Sequence, residues 1–212
     1  MSAVNPERWS QLWHRATSAA QPSDTYGRLV AMYSEPHRCY HNLAHIEDCL
    51  VEFDRAKQLA TDPVAVELAI WFHDAVYDPR ALDNEERSAE LAKRWLSDVR
   101  ASDALTDSVG RLILATKAHD ASLHADAPLL VDVDLSILGT PPAQFWEYER
   151  QIREEYAWVE KPVFAARRAE ILRRFLARER IYQTDIFFHR MEAQARVNLR
   201  ASVQRLADGV LS

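Results

Sequence analysis

A chain of 212 residues, 48% hydrophobic and 27% charged, has the make-up of an ordinary globular domain. It is long enough to bury roughly 70% of its unfolded surface without a disulfide or metal staple. A formal net charge of −6 excludes a molecule that acts as a whole as counterion to nucleic acid or anionic lipid, and four glycines leave little material for the tight hairpins of an all-β fold.

Apolar residues recur at helical spacing through most of the chain. A first helix is predicted from Pro6 to about Ala20, with Trp9, Leu12, Trp13 and Ala16 on one stripe. Ser23 and Asp24 open a second, through Tyr26, Leu29, Val30 and Tyr33, which ends before Pro36. Asn42 caps a third, carrying Leu43, Ile46, Leu50 and Phe53. Asp62 and Pro63 open a fourth, whose apolar run continues to His73, Asp74 and on to Asp78. Further helices fit Glu85 to Val99 (with Asn84 as its cap), Leu105 to Ala118, Pro142 to Val159, Pro162 to Arg180 and Phe187 to Ala207. An apolar stretch around Leu129 to Leu138 lies between them. The expectation is a single all-α domain, 1–212, in which the first helix (5–20) is either part of the core or an appendage to it.

Cys39 and Cys49 make no disulfide framework and show no CxxC spacing. The first residues carry no apolar core of a signal peptide, and no apolar run nears the ~18 residues a membrane span needs. These features predict a reduced, cytoplasmic protein that neither enters membranes nor binds nucleic acid strongly.

His73 and Asp74 stand side by side at the end of an apolar helix. A buried carboxylate without a partner costs several kcal/mol, so Asp74 needs a cation or strong donors. A divalent metal supplies that cation, with the adjacent imidazole as a second ligand; a capped, solvent-facing helix end is the structural alternative. Upstream, His45 falls in the first turn of the third helix, behind His41. Downstream, Asp132 and Asp134 interrupt an apolar stretch, and His119 ends the helix before it, where it would also complement the helix dipole. Glu85 either orients a ligand or compensates a helix dipole. Arg168 sits in a locally basic helix; it either pairs on a solvated face with residues such as Glu170 and Glu179 or enters a cleft to hold phosphate.

The order His, His-Asp, Asp, each on or beside a predicted helix, resembles the HD superfamily of metal-dependent phosphohydrolases. The segments YHNLAHI, HDAVYD, DNEERSA, DVDLSILG, IREEY and AR-NL extend the likeness over roughly residues 26–200. The resemblance implies an all-α HD-like array. It also implies one divalent ion (Mn, Fe, Co, Ni, Zn or Mg) held by His45, His73, Asp74 and Asp134, with Asp132 as the alternative last ligand. On the same footing Asp74 doubles as the group that orients water and His119 serves catalysis at the phosphate. His41, by its position before the helix that bears His45, either binds phosphate or a second metal or is a surface loop histidine, and Arg168 is the other candidate for holding substrate. The implied activity is hydrolysis of a small-molecule or nucleotide phosphate ester. A non-catalytic ligand-binding module is the second reading. A di-iron oxygenase that enlists His41, His119 and His124 is the third.

Overall fold

The computed structural model describes residues 2–17 and 24–210; the end of the first predicted helix and the Ser23 cap lie outside them. Among the described residues there are ten α-helices and no strand, so the fold is all-α. None of the helices is long and apolar enough to cross a membrane. The chain divides into two compact units, with the boundary between Val133 and Asp134.

The first unit holds α1 (Pro6–Ala16), α2 (Thr25–Tyr33), α3 (Leu43–Ala56), α4 (Pro63–Phe72), α5 (Asn84–Asp98), α6 (Asp103–Ala118) and the body of α7 (Ala127–Asp134). Its axis is α4, buried on every side from Ala65 to Phe72. An all-apolar helix needs partners all round, and α1, α3, α5 and α6 supply them. α1 belongs to this core: Trp9 and Trp13 are fully buried, and the Trp9 ring lies 5.3 Å from Trp71 and 5.9 Å from Phe72. Glu67, the single charge on the buried run of α4, receives Arg8 at 2.7 Å and Arg15 at 2.9 Å.

Local chemistry sets where α4 begins. The Asp62 carboxylate accepts from the amides of Val64 and Ala65, and the Asp126 carboxylate accepts from those of Thr61 and Asp62. An N-cap of this kind is worth about 1 kcal/mol. The helix stops at Phe72 rather than running on to Asp78, and its last carbonyls are taken by the His73 and Tyr33 side chains and the Ala75 amide. α5 starts one residue before its expected beginning. Asp83 takes the cap position, while the Asn84 amide closes the preceding loop, accepting from Asp78 N at 3.0 Å and donating to Asp78 O at 2.9 Å.

The second unit continues from the end of α7 through a 3₁₀ segment, Leu135–Gly139, into α8 (Pro142–Glu155), α9 (Lys161–Ala177) and α10 (Asp185–Ala207). Asn198 on α10 donates to the carbonyls of Leu138 and Thr140, and Tyr182 to that of Leu135, which ties the 3₁₀ segment down. Glu192 accepts from the amides of Ile181 and Tyr182 and pairs with Arg196, so the turn between α9 and α10 is held from inside.

Candidate metal centre

Three of the four expected ligands meet in the first unit. His45 lies in the first turn of α3, which begins where the Asn42 side chain caps the Ala44 amide. His73 is the C-cap of α4, and Asp74 follows it into the turn. His45 Nε2 is 3.1 Å from His73 Nε2, while Asp74 Oδ2 stands 3.2 Å from His73 Nε2 and 3.6 Å from His45 Nε2. Ligands about 2.1 Å from one ion lie about 3.0 Å apart when octahedral and about 3.4 Å apart when tetrahedral, given ordinary bond lengths. Two of the three separations fall in that range and the third, 3.6 Å, lies just above it, a geometry that one divalent ion can draw together.

The tautomer fits as well. His73 Nδ1 donates to the Ile70 carbonyl at 2.9 Å, which leaves the Nε2 lone pair directed at the cluster. Burial alone would push the Asp74 carboxyl up. When His73 is protonated at Nε2 as well, its charge and hydrogen bond, with the charges of His41 and His45, outweigh burial and hold Asp74 well below the usual carboxylate range. Mixed imidazole and carboxylate donors suit a first-row transition ion better than calcium.

His41 borders this cluster. Its ring stacks on Tyr77 at 4.4 Å, sits 6.1 Å from the His45 ring and is half-buried. His37 lies nearly parallel to the same ring, at 6.2 Å and 10° between planes. Glu85 is raised in pKa by its burial, and the negative charge of Asp74 adds to the rise, so its carboxyl also feels the cluster. Cys49, one helical turn beyond His45, is buried with its sulfur 3.7 Å from His45 Nε2 and 3.8 Å from Nδ1. Near-equal distances set the sulfur midway between the two ring nitrogens, off the lone-pair direction of either. The i,i+4 spacing was the sequence signal for that contact.

His119 ends α6 in a left-handed conformation, φ 49°, and its amide closes the helix on the carbonyls of Ala115 and Thr116. Asp132 is fully buried in α7 and Asp134, its last residue, is half-buried. In the second unit the Asp134 charge raises the pKa of the buried Tyr148, where burial is the larger cause. Arg168 is also buried there: its Nη2 donates to Glu149 at 2.5 Å and to Tyr148 Oη at 2.7 Å, and its Nε has no hydrogen-bond partner. Its partners are therefore on α8, not the Glu170 and Glu179 of its own segment. Arg174, which does face solvent, is the residue that pairs with Glu170.

Two residues of this region carry no signal in the sequence. Tyr33, fully buried on α2, donates to the Trp71 carbonyl at 3.1 Å. Arg38, in the loop after α2, reaches the backbone on both sides of the ligand cluster. No family model, no curated protein and no solved structure matches the chain.

Proposed function

We propose that the protein is a divalent-metal-dependent phosphohydrolase acting on a small-molecule or nucleotide phosphate ester. The convergence of His45, His73 and Asp74 on one point, at separations suited to a single ion, is the observation that carries the reading. Asp134 is proposed as the fourth ligand on the strength of the family resemblance, with Asp132 as the competing residue. A bound ion supplies a Lewis acid for a phosphoryl oxygen and an acidic water.

The chain's own residues have separable tasks. The bond from His73 Nδ1 to Ile70 fixes the imidazole's orientation. Asp74, ionised throughout the neutral range, accepts a hydrogen bond from the attacking water and orients it. His41, part-exposed beside that carboxylate, is proposed to donate to a phosphate oxygen, and His119 to balance its remaining charge.

Protein stripped with a chelator should be inactive on a panel of sugar, nucleoside and nucleotide phosphates, and activity should return with one of Mn, Fe, Co, Ni, Zn or Mg. Replacing His73 by Ala should remove turnover while circular dichroism stays helical. A panel that remains silent with every metal, on protein that binds the metal, would defeat the hydrolase reading.

A further inference from the structure

We propose that Arg38 is a positioning residue of the metal centre, one whose guanidinium fixes the two chain segments that present the ligands. The proposal rests on the metal reading above and adds to it a residue outside the ligand set.

A helix leaves its last carbonyls without intrahelical partners, and α4 ends where two ligands begin. The Ile70 carbonyl is taken by His73 Nδ1 and that of Trp71 by Tyr33 Oη, while the Phe72 carbonyl accepts from the Ala75 amide. Arg38 takes two carbonyls of the turn beyond His73. Its Nη1 donates to the Asp74 carbonyl at 2.6 Å and its Nη2 to the Ala75 carbonyl at 3.0 Å. The same Nη1 donates to the His41 carbonyl at 3.0 Å, one residue before the cap of α3 and four before His45. Nε is held by Glu35 at 3.0 Å.

The Arg38 side chain is wholly buried, flanked by the rings of Tyr33 at 5.1 Å and Tyr77 at 5.4 Å. One rigid fork thus joins the His41 segment to the Asp74–Ala75 turn. The planar guanidinium can hold three carbonyls at once; an ammonium on a flexible stem carries the same charge without that geometry. Outer partners that orient metal ligands are typically worth 10–100-fold in metal affinity.

Cobalt(II) titration tests the assignment, because its visible spectrum reports coordination geometry as well as occupancy. Wild-type protein should show one saturable cobalt spectrum. Arg38→Lys should bind cobalt roughly 10–100-fold more weakly, with an altered spectrum, while remaining helical. Equal affinity and an identical spectrum in Arg38→Lys, with wild type binding normally, would overturn the role of Arg38 and leave the metal reading standing. Absence of any saturable spectrum in wild type would remove the metal reading and this assignment together. Should Arg38→Lys not fold, Glu35→Gln carries the test, since Glu35 is exposed and holds only Nε. A weakening of about two- to fivefold supports the proposal there, and unchanged affinity and spectrum overturn it.

Discussion

Asp74→Ala is expected to yield a folded protein that no longer holds stoichiometric metal. The carboxylate is 14% exposed and stands within 3.6 Å of both imidazole Nε2 atoms, so it is the one negative donor of the three-residue cluster. Its removal takes away a ligand and the charge that balances the ion. The loss should exceed the 10–100-fold typical of an outer partner. Folding should survive, because the backbone hydrogen bond at Asp74 does not involve the side chain: Arg38 holds its carbonyl. Metal content after gel filtration decides the matter, and one equivalent retained by the variant would refute the ligand assignment. The same measurement on Asp134→Ala and Asp132→Ala separates the two candidates for the last ligand.

Glu149→Ala should cost the protein a large part of its stability without touching the cluster on α3 and α4. Glu149 is 3% exposed and accepts from Arg168 Nη2 at 2.5 Å and from Ser202 Oγ at 2.9 Å. Truncating one partner of a buried pair strands the other charge, at a cost of about 3–5 kcal/mol. For a chain of this size that lowers the unfolding midpoint by roughly 10 °C. The double variant Glu149→Leu/Arg168→Met should recover most of the loss, since it strands no charge. Thermal denaturation of the three proteins checks both statements; a single variant within a degree or two of wild type would show the pair to be energetically idle.

The helices were readable in the sequence wherever one face is apolar or the start is capped. Asn42 and Asp62–Pro63 mark two starts, and both side chains do cap. The stretch at Leu129–Leu138 resisted assignment because α7 and its 3₁₀ extension are buried on nearly all sides, which erases the amphipathic period. The end of α4 was unreadable for a different reason. Besides the local His73 side chain and Ala75 amide, the turn is held by Tyr33 and Arg38, 38 and 36 residues away from the carbonyls of Trp71 and Asp74. The ligand types carried chemical meaning on their own, but the residues that orient them bind backbone, and backbone partners leave no trace in composition or spacing.

The enclosure of α4 has a consequence in time. From Ala65 to Phe72 every residue of the helix is buried, so fraying or loop motion does not expose its peptide groups. Its amide protons can trade with deuterium only when the first unit opens as a whole, which places them at the slow end of the exchange spectrum. His73 and Asp74 are covalently continuous with that element, whereas His41 hangs from a loop. The ligand side of the site is therefore anchored to the slowest-opening stretch of the unit, and the His41 loop is tied to it through Arg38.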